Sequence, residues 1–78
     1  MHDEGMSTTR DVCVTFGKRI RTLRTKRGWY QEDLAAHSGI GRVAISNLEN
    51  GKHEPKLKTI QALAGSLDMS MSALLKGL

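Results

Sequence analysis

The sequence predicts an all-α protein, a compact bundle of five helices. Apolar residues recur at helical spacing in successive segments of the 78-residue chain, as expected for helices with one buried face. Glycines and the single proline separate these segments, and no stretch alternates apolar and polar residues as a strand would. Because the chain contains only one phenylalanine, one tryptophan and one tyrosine, its core must be mainly aliphatic.

The first helix is predicted over residues 9–26. Thr8 and Asp11 have the spacing of a capping box at its start, and Gly28 follows its end in a position that favours a left-handed stop. Residues 1–8 are polar and contain a glycine, so we expect them to form a flexible N-terminal arm. Residues 9–78 then constitute a single domain.

Four shorter helices are predicted in the remainder of the chain. Glycine follows the second and third helices, Pro55 precedes the fourth, and Ser70 is a suitable N-cap for the fifth. The second, third and fourth helices are predicted over residues 31–38, 42–50 and 58–67.

The charge of the chain is typical of a protein that binds nucleic acid. Twelve basic residues exceed eight acidic ones, and many of the basic residues lie between positions 10 and 27. The alternative interpretation is a solvated helix with a basic surface. Cys13 is the only cysteine, so an intramolecular disulfide is excluded. No apolar run is long enough for a transmembrane helix and no signal-peptide region is evident, which predicts a cytoplasmic protein without a membrane partner.

Residues 31–51 carry the most informative spacing. Ala35 is small and Gly39 can adopt a positive φ, so two short helices can cross closely through a tight turn, as in a helix-turn-helix. Each feature alone also fits an ordinary helical hairpin, but the complete set favours a helix-turn-helix. Three residues are expected to face inward and pack the two helices together: Leu34, Ile45 and Leu48.

This segment, together with residues 16–24, Gly28, Pro55 and the pair Leu74–Leu75, resembles the Xre-type family of phage repressors, Cro-like proteins and restriction-modification controller proteins. The resemblance covers nearly all of the chain after the first dozen residues. It implies a lambda repressor-like fold whose third helix enters the major groove of double-stranded DNA. We therefore expect a sequence-specific transcriptional regulator, usually a repressor, and not an enzyme.

The resemblance implies that the third helix reads the bases. Arg42 can bond guanine bidentately, Val43 can pack on a thymine methyl group, and Asn47 can pair with adenine. Ser46 is a further candidate. The alternative interpretation is that each is simply a surface residue.

Phosphate contacts are implied on both sides of the third helix. Gln31 opens the second helix, where free N–H groups and the helix dipole favour an anion. Asn50, Gly51 and Lys52 follow the third helix. Contacts of this kind set register and affinity without specifying sequence.

Arg24 and Glu49 match an ion pair of the family that joins the first helix to the end of the third. We expect its role to be structural, because loss of one partner leaves the other charge unpaired. Two helix caps depart from the family pattern. Tyr30 and Gly41 stand where hydroxyl-bearing caps are usual.

The C-terminal segment is more apolar than one short helix requires. Its apolar residues are candidates for a homodimer interface: Met69, Met71, Leu74, Leu75 and Leu78. A symmetric dimer would bind a palindromic operator with half-sites about one helical turn apart. The alternative interpretation is that all five residues pack inward.

Other kinds of site are not supported by the sequence. Residues 39–44 match a dinucleotide-binding pattern, but no strand precedes them and no acid follows at the required distance. The histidines are too widely spaced to bind a metal, and the short chain leaves little room for a small-molecule ligand. No cofactor is therefore expected. The alternative functions are an antitoxin-type protein or another protein-interaction module on the same fold. An RNA-binding function is disfavoured, because it would need a platform of stacking aromatic residues.

Overall fold

The computed structural model describes the backbone of residues 2–78 and the side chains of residues 12–78. Within residues 2–78 the chain forms five helices and no strands, which confirms the predicted fold class. The predicted bounds of the second helix are those observed, the third helix ends one residue earlier than predicted, and the fourth helix both begins and ends one residue earlier. The helices are α1 (His2–Lys26), α2 (Gln31–Ser38), α3 (Arg42–Glu49), α4 (Leu57–Ser66) and α5 (Met71–Leu74).

Helix α1 begins at His2, so the start predicted at residue 9 was wrong. Thr8, the predicted N-cap, lies inside the helix rather than at its end. The sequence of residues 2–8 contains no proline, and its acidic residues near the N-terminus are of the kind that favours a helix start. The side chains of the predicted capping box lie outside the described residues. The mobility of the arm stays a prediction, but the backbone of residues 2–8 is helical.

The core is a single aliphatic cluster to which every helix contributes. Helix α1 packs against α3, α2 packs against both α3 and α4, and α4 packs against α5. Helix α3 is therefore held on two sides, and its outer face remains free. The buried residues of the cluster are Phe16, Ile20, Leu34, Ile45, Leu48, Leu63, Ala64, Leu67 and Leu74.

The turn between α2 and α3 depends on a glycine in the left-handed region. Gly39 has a φ of 77°, and its N–H donates to the carbonyl oxygen of Ala35 at 2.9 Å. The hydroxyl of Ser38 then accepts a hydrogen bond from the backbone N–H of Ile40 at 3.1 Å. These bonds satisfy the C-terminal end of α2 and redirect the chain sharply into α3.

The two unusual caps keep the helices intact in different ways. No side-chain cap is formed by Tyr30, but the carboxylate of Asp33 accepts a hydrogen bond from the Tyr30 backbone N–H at 2.7 Å. This bond is one half of a capping box. Gly41 caps α3 in an extended conformation without a side chain, and glycine is only slightly less favourable than serine there.

Trp29 fills the junction between α1 and α2. Its ring stacks on that of His37 with centroids 4.3 Å apart, and the Arg27 guanidinium lies 5.1 Å from the Trp29 ring centroid. Arg27 also donates to the carbonyl oxygen of Leu67 at 2.8 Å and pairs with Asp68. This cluster joins the α1–α2 loop to the turn after α4.

Helices α1 and α3 approach so closely that only glycine fits between them. Gly17 is buried in α1, and a Cβ atom at this position would lie 2.7 Å from the carbonyl oxygen of Glu49 and closer still to that of Leu48. Both are backbone atoms, which cannot move aside as a flexible side chain can. Gly17 therefore sets the distance between α1 and the end of α3.

The close approach predicts opposite effects for two glycine-to-alanine substitutions. Alanine in a helix interior normally stabilises by about 0.5–1 kcal/mol relative to glycine. We expect this gain for Gly65→Ala in α4, where the added methyl group meets open space. Gly17→Ala should instead lower the free energy of unfolding by about 1–3 kcal/mol, because the backbones must separate.

Urea denaturation followed by circular dichroism measures both effects, and Gly65→Ala serves as the matched control. An equal gain in the two variants would show that α1 and α3 are not in close contact.

Candidate nucleic-acid interface

Helix α3 has a buried face and an exposed face. Ile45, Leu48 and Glu49 are buried against the rest of the bundle. Arg42 is exposed, Val43 is 64% exposed, and Ser46 and Asn47 are half-buried. All four residues predicted to contact bases therefore retain accessible surface, and the structure brings them together on one short helix.

Glu49 is a charge buried at the end of α3. Its side chain is 0% exposed, and that of Arg24 is 10% exposed. Arg24 donates from Nε to Oε2 at 2.6 Å and from Nη2 to Oε1 at 2.9 Å, which is a bidentate pair. A third bond, from Arg24 Nη1 to the carbonyl oxygen of Trp29 at 2.8 Å, fixes the loop before α2. The pair thus joins α1, α3 and the start of α2.

Gln31 connects this buried pair to the exposed face. Its Nε2 donates to Glu49 Oε1 at 3.1 Å, and its Oε1 accepts a longer bond of 3.4 Å from Nη1 of Arg42. A continuous path of polar contacts therefore runs from Arg24 to Arg42. One N–H of the Gln31 amide is used in this path. The backbone N–H of Asp33 donates to the carbonyl oxygen of Tyr30 at 3.0 Å, which leaves the first two N–H groups of α2, those of Gln31 and Glu32, without an intrahelical acceptor.

Arg21 also contacts the end of α3, and the sequence analysis did not single it out. Its Nε donates to Glu49 Oε1 at 3.3 Å, and its Nη2 donates to Asn50 Oδ1 at 3.2 Å. Arg21 and Arg24 are three residues apart on α1, a spacing that places both on one side of a helix. That spacing was the available signal.

The turn after α3 uses its own backbone donors. The N–H groups of Asn50, Gly51 and Lys52 donate to carbonyl oxygens of α3, at 3.1, 3.1 and 2.9 Å. Gly51 has a φ of 72°, and a Cβ atom there would lie 2.9 Å from the Val14 side chain. Gly51 therefore has a conformational role, with its one donor occupied. The donors that remain at this end of α3 belong to the Asn50 amide and the Lys52 ammonium group.

Hydrogen bonding outweighs burial in setting the charge of Glu49. Burial acts to raise its pKa, but hydrogen bonds from Arg24, Gln31 and Arg21 lower the pKa below its ordinary value. The hydrogen bond with Glu49 raises the pKa of Arg24. Both groups of the pair are therefore charged at neutral pH.

The predicted dimer residues occupy different depths. Leu74 is 0% exposed and belongs to the core, so its side chain is not available to a partner. Met69, Met71 and Leu75 are half-buried against the core, and Leu78 is 38% exposed. Leu75 and Leu78 border an apolar groove of about 460 Å³ between α1, α5 and the loop before α4. The other residues that line this groove are Val12, Cys13, Phe16, Glu54, Pro55 and Ile60.

The described residues contain neither a metal-binding cluster nor a membrane-spanning helix. Among their side chains, no group of three histidine, cysteine, aspartate or glutamate residues is arranged to hold a metal ion. None of the helices described is both long enough and apolar enough to cross a membrane.

Residues 20–74 match the family model described as helix-turn-helix. The chain is 42% identical over 62 residues to YonR, an uncharacterized prophage-derived transcriptional regulator of Bacillus subtilis, covering 80% of this chain and 57% of YonR. It is 33% identical over 61 residues to the immunity repressor of Bacillus phage phi105, covering 78% of this chain and 42% of the repressor. The chain thus spans about half the length of these curated relatives.

Solved structures share the fold over most of their length. The restriction-modification controller protein C.AhdI from Aeromonas hydrophila superposes with a TM-score of 0.77 at 41% identity, covering 82% of this chain and 96% of that protein. The c2 repressor of phage P22, solved in complex with a synthetic operator, superposes with a TM-score of 0.73 at 38% identity. That match covers 81% of this chain and 96% of the repressor chain. The lambda repressor-like fold expected from the sequence is confirmed.

The buried ion pair predicts how stability depends on pH. Because the pKa of Glu49 is lower in the folded state, its contribution is fully present above its ordinary pKa and is lost as the pH falls through the folded pKa. At pH 7, Glu49→Gln should lower the free energy of unfolding by about 3–5 kcal/mol, because Arg24 loses its counter-charge. The difference from wild type should shrink at acidic pH.

Denaturant unfolding at a series of pH values between 7 and 3 measures this difference. Glu54→Gln is the control, since Glu54 is exposed, and it should change stability by less than about 0.5 kcal/mol. Equal effects of the two substitutions, or a Glu49→Gln difference independent of pH, would contradict the assignment.

Proposed function

Because the chain belongs to the helix-turn-helix family, we propose that it is a sequence-specific regulator of transcription that inserts α3 into the major groove of double-stranded DNA. The observation that carries this proposal is the division of α3 into two faces. Ile45, Leu48 and Glu49 fix the inner face, while Arg42 and Val43 project outward from the first turn. A helix anchored in this way can present side chains to base edges without losing its own packing.

Arg42 is the principal base reader in this proposal. Its recorded bond to Gln31 is long, at 3.4 Å, so the guanidinium group can exchange it for two bonds to the O6 and N7 atoms of a guanine. Val43 beside it offers an apolar surface to a thymine methyl group, and Asn47 lies one turn further along α3. Ser46 completes the set of proposed base contacts.

Donors on both sides of α3 hold the helix in register on the phosphates. On one side are the first amide groups of α2 and the free N–H of Gln31. On the other side are the amide of Asn50 and the ammonium group of Lys52. These contacts are independent of sequence and supply affinity. Gly51 supports them by shaping the turn.

The chain acts as a repressor rather than as an enzyme in this proposal. Several of the relatives are repressors, and the family match agrees with the prediction that the chain is not an enzyme. A repressor is bound to DNA, so a cytoplasmic, nucleoid-associated location is also part of the proposal. No cofactor or small-molecule ligand is required for binding of this kind.

A homodimer is the second part of the proposal. The apolar groove bordered by Leu75 and Leu78 supports it, because an apolar surface of this kind is typical of interaction sites. Met69 and Met71 are half-buried and do not line the groove, and Leu74 would support the interface only from within the core. Two copies related by a twofold axis would place two α3 helices on a palindromic operator.

Selection of the purified protein against random duplex DNA tests the reading function. We expect an enriched palindrome with two half-sites. Arg42→Ala should relax the preference at one base pair in each half-site, at a cost of about 1–3 kcal/mol for that pair. Lys52→Ala should weaken binding equally for all sequences, because it removes a phosphate contact. If neither wild type nor variants enrich any sequence, the chain is a protein-interaction module of the antitoxin or another type.

The oligomeric state tests the groove. We expect wild-type protein to sediment as a dimer and Leu78→Glu to sediment as a monomer, because a buried charge in an apolar interface is unfavourable. Leu57→Glu is the matched control, since Leu57 is 71% exposed and does not line the groove. Dissociation by both substitutions, or by neither, would remove the groove from the interface.

A further inference from the structure

The proposed contacts to the DNA backbone leave Arg21 without a role, although its charge lies beside them. Arg21 is on α1, outside the helix-turn-helix, and its side chain is 50% exposed. Its guanidinium group bridges the carboxylate of Glu49 at 3.3 Å and the amide oxygen of Asn50 at 3.2 Å. Asn50 is itself exposed, so this bridge lies at the protein surface.

Glu49 does not need Arg21 as its counter-charge. Arg24 already supplies two hydrogen bonds to that carboxylate, at 2.6 and 2.9 Å, and is much the more buried of the two arginines. Two guanidinium groups, those of Arg21 and Arg24, therefore face the carboxylate of Glu49. These three side chains together carry a net positive charge at the end of α3. A positive charge that is half-exposed here is available to an anion.

The bridge also fixes the orientation of the Asn50 amide. An arginine can only donate hydrogen bonds, so the Asn50 atom that faces Arg21 must be the oxygen. The amino group of the Asn50 amide is then the branch that is not bonded to Arg21, and it can only donate. At the same time the backbone N–H groups of residues 50–52 are occupied within the turn. The exposed end of the turn, beside Arg21, therefore has the Asn50 amino group left to donate to an anion.

We infer that Arg21 and Asn50 together form a clamp for one DNA phosphate, in which Arg21 both orients the Asn50 amide and donates to the same phosphate. Arg21 Nη1 has no acceptor among the residues whose side chains are described, so it supplies the direct contact. The contact extends the DNA-binding surface from the helix-turn-helix onto α1. This inference rests on the proposed function, because it names a further residue of the same interface.

Salt dependence distinguishes a phosphate contact from a purely structural role. The logarithm of the binding constant falls with the logarithm of salt concentration by about 0.9 for each phosphate neutralised. Arg21→Met keeps the aliphatic stem of the side chain but removes its charge. On the operator found by selection, we expect about a tenfold loss of affinity and a salt slope reduced by about 0.9. The loss should be the same for unrelated duplexes.

Lys26→Met is the matched control. It removes the same charge from α1, but five residues along a helix turn the side chain by about 140° from the direction of Arg21. Its affinity and slope should equal those of wild type. Arg21→Met combined with Asn50→Ala should weaken binding by less than the product of the two single effects, since both residues serve one phosphate. Circular dichroism and thermal unfolding identify any variant that fails to fold, and Arg21→Lys then provides the second test, because it keeps the charge and should keep the wild-type slope.

The outcomes separate this inference from the proposed function. If Arg21→Met binds DNA with the affinity and salt slope of wild type, the inference is wrong and the proposed function still stands. A loss of affinity with an unchanged slope overturns the direct phosphate contact. Wild-type protein that binds no duplex at any salt concentration overturns both.

Discussion

The burial of one carboxylate, that of Glu49, organises the half of this protein that is built from α1, α2 and α3. An unpaired charge in that position would be strongly unfavourable, so the surrounding elements must supply donors to it. Arg24 does so from α1 and Gln31 from α2. Because each donor is attached to a different helix, satisfying the carboxylate fixes the positions of α1 and α2 relative to α3. Apolar packing brings these helices together, and the carboxylate selects one arrangement among those that the packing allows.

The same arrangement depends on the absence of a side chain at Gly17. Only a glycine lets α1 come close enough to α3 for the arginine side chains to reach the end of that helix. The contact at Gly17 permits a short distance between α1 and α3. The bidentate bonds of Arg24 to Glu49 span this same distance, so the two features reinforce each other. A residue larger than glycine at position 17 does not fit this geometry.

The sequence predicted the helices well where their boundaries are set locally. Gly39 marks the end of α2 through its left-handed backbone, and Ser70 marks the start of α5 through its side-chain cap, so both of these boundaries were predicted correctly. The start of α1 was not, because a capping box is a local pattern that is also compatible with a helix interior. The side chains that bond Glu49 lie on other helices, so local patterns do not identify them. Arg24 is 25 residues from Glu49, and its pairing was inferred from a family resemblance. Arg21 was missed, although its spacing of three residues from Arg24 places both on one side of α1. The burial of Leu74 could not be read from the sequence, since periodicity shows that a residue lies on an apolar face but not whether the core or a partner subunit covers that face.

The two-faced character of α3 has a consequence for how such a protein can change over time. The residues that hold α3 in place are Ile45, Leu48 and Glu49, and the residues proposed to read bases lie on the other side of the same helix. Substitutions on the outer face leave the buried contacts intact, and surface changes of this kind usually alter stability by less than about 0.5 kcal/mol. Recognition can therefore diverge while the scaffold stays constant. A duplicated copy of this chain could acquire a new operator through a few exchanges on the outer face of one eight-residue helix, without an intermediate that fails to fold.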